Sequence, residues 1–362
     1  MIIGLDANEA NVLRRVGSNE YAFQVLWQLY RQGTDHQWVI YLSHEPQTDL
    51  PQPKPNWQYR VLKPGFFWTQ WRLPLDLLFH SPRPAIFLTL GHYAPRFSLV
   101  PTMVCIMDLA FLKFPATFRQ SDLWQLTSWT KYSVKNARHI FAISQATKKD
   151  LVKYYGLEPD KITVAYPGVD QLIVKEKSPI AGPYLLYVGT LQPRKNLDAL
   201  IEAFSSITHP GCQLCQLIIA GKTGWLYQPK AVKNVQYLGY VSQEKLGSLI
   251  KNSLGLVLPS LYEGFGIPVV QAMSLGVPVL VSRNSSLTEI VGDSGLYIEP
   301  PFDAPAIRSG LEKLLSLAPP QKQTLTASAL LRSHHFSWPA AGKTILTTIN
   351  GKIEANVSAT NT

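Results

Sequence analysis

Apolar residues along this chain fall into short runs separated by segments of helical period, and the alternation continues almost from end to end. Residues 1–5 (MIIGL) read as a buried strand opening the fold. A loop over residues 11–19, containing Gly17, leads into a helix over residues 20–31. Residues 39–42 return to strand, and the proline-rich residues 46–55 are loop. Residues 65–72 (GFFWTQWR) read as an amphipathic helix packed on the first sheet, in preference to a contact with an interface or a polyprenyl-linked acceptor. Residues 100–108 suggest a buried strand ending in a functional loop. A helix over 121–136, a strand over 139–143 and a helix over 145–155 capped by Ser144 follow. The second half repeats the pattern: strands at 184–188, 217–220, 235–238, 255–258 and 279–281, and helices at 196–204, 243–251 and 267–273. Such alternation implies one parallel sheet in each half, with a boundary near residues 168–183. Parallel sheets bind ligands at the carboxyl ends of their strands, so two facing sheets would enclose a cleft.

Composition narrows the class of molecule. A length of 362 residues suits about two domains, and 46% hydrophobic with 16% charged residues describes a folded chain. No apolar run is long enough to span a bilayer, and Asp6 and Glu9 argue against a secretory signal. Three cysteines cannot all pair, so a reducing cytoplasm is expected. Cys212 and Cys215 have CxxC spacing but no second pair to complete a zinc site. The formal charge of +10 is spread over both halves and thickens between residues 111 and 161. Such a stretch suits either a solvated face or an anionic lipid surface; no nucleic-acid motif accompanies it.

The segment 259–300 carries the most chemistry. Glu263 sits in a glycine-bracketed turn, and Pro268 stands where a helix begins. A glycine turn feeding a helix presents unpaired N–H groups and the positive end of a dipole, which is a seat for phosphate. A carboxylate beside that seat accepts hydrogen bonds from hydroxyls. Gln271 lies about two turns along the same helix. The implied ligand is a phosphate joined to a polyhydroxy group. Arg194 and Lys195 follow another strand and precede another helix. Basic residues are disfavoured at a helix start, which favours a functional task for them, such as gripping phosphate oxygens.

The stretch EGFGIPVVQAM resembles the donor-site motif of the group 1 retaining glycosyltransferases, which transfer a sugar from a nucleotide diphosphate. IIGLDANEA, MDLAFLKFP, FAISQATKKDLVKYYG, YLLYVGTLQPRKNLDALIEAF and LIIAGKTGWLY agree with it in order, so the likeness spans roughly residues 1–345. It implies an α/β fold of the GT-B kind, two Rossmann-like domains with parallel sheets facing across a cleft. Residues 1–170 would form an acceptor-side domain and residues 171–339 a nucleotide-sugar domain, with a helix near residues 340–353 crossing back to the first. The resemblance implies catalytic tasks for Glu263, Arg194 and Lys195. It implies donor contacts from Gly17, Met107, Gly264, Phe265, Gly266, Ile267 and Gln271, and places His92 and Asp108 on the acceptor side. The implied partners are a nucleotide-sugar donor and a saccharide or lipid-linked acceptor, at the cytoplasmic face of a membrane, with a mannosyltransferase-like subgroup nearest. No metal or other cofactor is expected, because Arg194, Lys195 and a helix N-terminus already meet the phosphate charge and no acidic DxD pair stands nearby.

Three positions depart from the family pattern. Relatives carry Glu where Gln271 stands, often Arg where Thr190 stands, and usually His where Met107 stands. Methionine cannot exchange a proton. Either the family's histidine mainly positions the sugar, so that Met107 is tolerated, or the chain is a degenerate nucleotide-sugar binder or a non-catalytic partner subunit. His92, in GHYAP, is a candidate substitute donor beside an ordinary structural role.

Overall fold

The computed structural model describes residues 1–169, 172–174, 180–208 and 214–360. The expected boundary between residues 170 and 171, and Cys212 of the CxxC spacing, lie outside these. Two compact units account for the chain: one of residues 1–109, 124–168 and 337–362, the other of residues 110–123 and 169–336.

In the first unit the strands are β1 (Ile2–Asp6), β2 (Gln37–Leu42), β3 (Trp57–Val61), β4 (Ile86–Thr89), β5 (Thr102–Ile106), β6 (His139–Ala142) and β7 (Ile162–Val164). They form one sheet in the order β3-β2-β1-β4-β5-β6-β7, with parallel neighbours throughout. The order reverses between β1 and β4, so the loops leaving these two strands diverge and open a crevice at their carboxyl ends. Burial on both faces explains why β4 and β5 are wholly apolar or nearly so and fully buried.

Helix Ser18–Gln32 packs its buried face, Tyr21, Ala22, Val25, Leu26 and Leu29, within this unit. The terminal helix Trp338–Thr360 lies against it: Trp338 stacks obliquely on Tyr21 with centroids 6.0 Å apart, and Gln32 donates to the Pro339 carbonyl at 3.2 Å. The cap at Ser144 forms as expected, its hydroxyl accepting from the Thr147 amide at 3.0 Å. The amphipathic segment expected at residues 65–72 is a wide helical turn, Trp68–Arg72, continuing into the helix Leu73–Phe79. Trp68, Leu73 and Leu77 pack with Tyr41 of β2 and Phe87 of β4 in one apolar cluster, so one side of the segment is seated on the sheet.

In the second unit the strands are β8 (Tyr184–Val188), β9 (Gln216–Ala220), β10 (Val235–Gly239), β11 (Gly255–Leu258), β12 (Val279–Ser282) and β13 (Leu296–Ile298). Their order, β10-β9-β8-β11-β12-β13, is again parallel and again reverses, here between β8 and β11. Residues 110–123 belong to this unit, where Phe114 packs on Tyr262 and the indole of Trp225 donates to the Thr117 carbonyl at 2.8 Å. The basic stretch between residues 111 and 161 is therefore divided: Lys113 and Arg119 fall in the second unit and the later lysines in the first. Two of those lysines spend their ammonium groups on backbone, Lys148 on the Ile162 carbonyl and Lys161 on those of Val134 and Lys135. Among the described residues, no helix is long and apolar enough to cross a membrane.

Candidate active site

In the second unit the reversal of strand order sets the stage. The loop after β8 carries Arg194 and Lys195, and the loop after β11 carries Glu263, so the crevice between these strands gathers all three. The two loops are laced together: the Leu261 amide donates to the Arg194 carbonyl at 2.9 Å, and Arg194 Nη1 donates to the Tyr262 carbonyl at 2.8 Å. Glu263 is 6% exposed and Lys195 9%. Lys195 Nζ donates to Glu263 Oε1 at 2.5 Å, and Ser260 Oγ donates to the same oxygen at 2.6 Å. Arg194 Nη1 lies 3.7 Å from Oε2. Burial by itself would raise the Glu263 carboxyl, but the charges of Lys195 and Arg194, with the hydrogen bonds from Lys195 and Ser260, outweigh it and hold the group below the ordinary glutamate value. Glu263 is thus an ionised carboxylate at neutral pH, fixed in place.

The turn that follows delivers a helix start into the same crevice. Gly266 has φ 108°, a conformation closed to other residues without strain, and it precedes the helix Ile267–Ser274 with Pro268 in the first turn. No side chain caps that end. Pro268 has no N–H, and the Val269 and Val270 amides donate to the Gly266 carbonyl at 2.9 and 3.4 Å, which leaves the amides of the Gly264–Ile267 turn as the candidate anion seat. Gln271 lies on this helix and is 6% exposed.

Four residues that sequence reasoning missed hold the Glu263 turn, three of them from the loop after β12. Asn284 donates to the carbonyls of Ser260 and Leu261, at 3.1 and 2.9 Å. Ser285 Oγ accepts from the Glu263 amide at 3.0 Å. Ser286 Oγ reaches the carbonyls of Glu263 and Phe265, both at 2.9 Å. Ser260 is the fourth. For the first three, the signal in the sequence is a polar cluster, RNSS, directly after a strand.

The other sequence candidates gather at the carboxyl ends of strands in the first unit. Gly17, at φ 54° and ψ −113°, makes the turn into helix Ser18–Gln32. His92 follows β4, and Met107 and Asp108 follow β5. The Met107 amide donates to His92 Nε2 at 3.1 Å, and its carbonyl accepts from Thr147 Oγ1 at 3.2 Å. His92 therefore carries its proton on Nδ1. Burial lowers its pKa, against a smaller raising effect from Asp108, so the ring is neutral near pH 7. Its ring now occupies the neighbourhood of Met107, though its Nε2 lone pair is spent on backbone.

At the carboxyl end of β1 stands a carboxyl that sequence reasoning did not single out as a site. Asp6 is pushed up to about 7 by burial, although Asn8 donates to it through both its amide and its side chain. A carboxyl whose folded pKa exceeds its unfolded value of about 3.9 stabilises fully below about pH 4 and loses that contribution as pH rises through about 7. Melting temperature is therefore expected to fall between about pH 5 and pH 8, and Asp6→Asn to flatten that slope by about 3 kcal/mol at the alkaline end. An unchanged pH profile in the variant would show that Asp6 does not titrate as described.

Known proteins resemble both halves of the chain. A family model described as "Glycosyl transferases group 1" matches residues 170–329, and one described as "Glycosyltransferase Family 4" matches residues 16–171. The O-antigen chain mannosyltransferase B of Escherichia coli is 29% identical over 300 residues, covering 77% of this chain and 76% of that protein. The O-antigen chain mannosyltransferase RfbU of Salmonella typhimurium is 28% identical over 245 residues, 65% of this chain and 66% of that one. Among solved structures, Anabaena HepE in complex with UDP-glucose superposes with a TM-score of 0.72 at 17% identity, covering 97% of this chain and 99% of that one. At that identity the last likeness is one of fold.

Proposed function

The chain belongs to the group 1 glycosyltransferases of the GT-B fold, and from that premise we propose that it moves a mannosyl group from a nucleoside diphosphate to a saccharide acceptor, with retention at the anomeric carbon. The mannosyl assignment is supported by the two O-antigen mannosyltransferases that the chain resembles. Their names also support a product in bacterial surface polysaccharide, and we propose an acceptor carried on lipid at a membrane face. One observation carries the reading: the ionised Glu263, pinned by Lys195 and Ser260 beside Arg194 and an uncapped helix start.

In this proposal Arg194, Lys195 and the amides of the Gly264–Ile267 turn, including Phe265 and Gly266, hold the diphosphate. Positive charge there stabilises the departing group most strongly as its own charge develops. Glu263 accepts hydrogen bonds from the hydroxyls of the sugar near its anomeric carbon, and Gln271 contacts the ribose. The bond from the anomeric carbon to the phosphate oxygen breaks while the acceptor oxygen bonds to that carbon on the same face. The acceptor proton passes to the leaving phosphate, so no side-chain base is required and Met107 is compatible with turnover. Gly17 and Met107 are proposed as donor contacts, and His92 and Asp108 as acceptor contacts. Because Arg194 and Lys195 supply the charge that the diphosphate needs, we propose a reaction without metal.

The test is release of nucleoside diphosphate on incubation with GDP-mannose, UDP-glucose and other donors in the presence of a mannose-terminated or lipid-linked acceptor. Turnover with GDP-mannose is expected; silence across the whole panel would defeat the reading. The Gln271 assignment has its own measurement. A carboxylate grips ribose hydroxyls with charge-assisted bonds worth about 1–2 kcal/mol more than an amide. Gln271→Glu is therefore expected to tighten nucleoside diphosphate binding by roughly 5- to 30-fold by calorimetry. Affinity equal to that of the unaltered protein would place the ribose elsewhere.

A further inference from the structure

The segment from Phe67 to Phe79 has two apolar sides, and only one is used in folding. Trp68, Leu73 and Leu77 are buried in the cluster beneath the sheet. On the other side Phe67, Trp71, Leu75 and Phe79 recur every four residues, the spacing that lines up one face of a helix. They are 61%, 68%, 45% and 77% exposed. The row is roughly 18 Å long at helical rise. A second loop extends it: the Arg96 amide donates to the Thr69 carbonyl at 2.9 Å, which brings up Phe97 and Leu99, 81% and 69% exposed. Phe66, 73% exposed, packs edge-on against Phe67 with ring centroids 6.0 Å apart. Phe67 and Phe97 are both held at positive φ, 48° and 53°, a conformation that bulky residues seldom adopt. Nothing in the fold of this unit requires large aromatic rings at these positions.

The charge around the row has one sign. Between residues 63 and 100 the cations are Lys63, Arg72, Arg83 and Arg96, while the sole carboxylate, Asp76, is buried and paired with Arg60 at 2.7 Å. Glu45, paired with Lys63 at 3.2 Å, is the exception at the edge. We propose that this face docks on an anionic lipid bilayer, its aromatic row entering the boundary between headgroups and acyl chains while the cations meet lipid phosphates. Amphipathic elements of this design lie in the interfacial plane, and their binding combines buried apolar area with attraction to anionic lipid. A second copy of the chain fits less well. A two-fold contact through the row would bring the arginines of each copy towards those of its mate. The inference deepens the reading of a lipid-borne acceptor and rests on it for its purpose, but docking is measurable without turnover.

The experiment is co-sedimentation of the purified full chain with vesicles of phosphatidylcholine alone, or of phosphatidylcholine mixed with phosphatidylglycerol. The chain should bind the mixed vesicles more strongly than the neutral ones, and salt should weaken that preference. Phe67→Ser, Trp71→Ser and Phe79→Ser combined should lower binding at least about tenfold while leaving the melting temperature and turnover on a soluble acceptor unchanged. Arg72→Gln with Arg96→Gln should retain residual binding but erase the preference for anionic lipid. Three outcomes would overturn the proposal: no binding to either vesicle, binding undiminished in the triple variant, or a concentration-dependent dimer that the triple variant abolishes without any vesicle binding. Loss of turnover on soluble acceptor in the unaltered protein would instead count against the glycosyltransferase reading, and leaves the vesicle result standing.

Discussion

Glu263→Ala is expected to reduce transfer from the nucleotide sugar by roughly a hundred- to a thousandfold in kcat, the range for removing one fixed electrostatic contact from a reacting centre. The expectation follows from how firmly this side chain is held. One oxygen accepts from both Lys195 and Ser260, the other faces Arg194, and the peptide on either side is pinned by Ser285 and Ser286. A side chain so placed gives up no freedom on reaching the transition state, so its removal should fall on kcat more than on donor affinity. Glu263→Gln separates charge from shape. The amide keeps the packing and can accept from Ser260, but it leaves Lys195 without a counter-charge, and it should recover only a small part of the activity. Transfer measured with saturating donor checks both variants. Full activity in either would remove Glu263 from the reaction.

Lys195→Met should be the most damaging single change to stability. The pair is buried on both sides, with side chains 11% and 8% exposed, so the variant strands a carboxylate away from water. Breaking such a pair from one side costs about 3–5 kcal/mol. In a unit of this size that corresponds to a melting transition lowered by roughly 6–20 °C. The sign of the pH dependence follows from the depressed carboxyl. A group whose folded pKa lies below its unfolded value stabilises above the unfolded value, about pH 4.3, and loses that contribution as pH falls through the folded one. Without Lys195 the main lowering influence is gone and burial raises the carboxyl. The variant should therefore recover ground on the original protein as pH is lowered towards 5. Differential scanning calorimetry at pH 7.5 and pH 5 reads both effects. A deficit of equal size at the two pH values would show that the pair is not what holds this loop.

Much of the architecture could be read from the sequence, and the exceptions have physical causes. Helices with a clean boundary were legible to the residue: Ser144 stops an apolar strand and offers a hydroxyl to the Thr147 amide, and Gln243–Lys251 shows its period plainly. Four strands were not seen. β4 is a run of only four residues close to Pro84, and β13 has three, too few to establish any period. β7 is equally short, and β3 sits among prolines with Gln58 and Arg60 breaking its apolar run. The core of the site was legible because Arg194, Lys195 and Glu263 each occupy a short loop between a strand and a helix. That the crevice is a reversal of strand order was not legible, since pairing of β8 with β11 joins residues about 70 positions apart. For the same reason the serines after β12 escaped notice; their task appears only when that loop meets the one after β11. The segment at residues 65–72 has the one buried side that an amphipathic helix predicts, but periodicity alone cannot show that its opposite side is apolar and exposed.

The most direct test of the account is calorimetric titration with GDP, guanosine and inorganic pyrophosphate, on the unaltered chain and on Arg194→Ala. If the crevice between β8 and β11 grips a diphosphate, GDP should bind at one site, at least about a hundredfold more tightly than guanosine, and Arg194→Ala should erase about tenfold or more of that advantage. Equal affinity for GDP and guanosine, or a GDP affinity indifferent to Arg194, would contradict it.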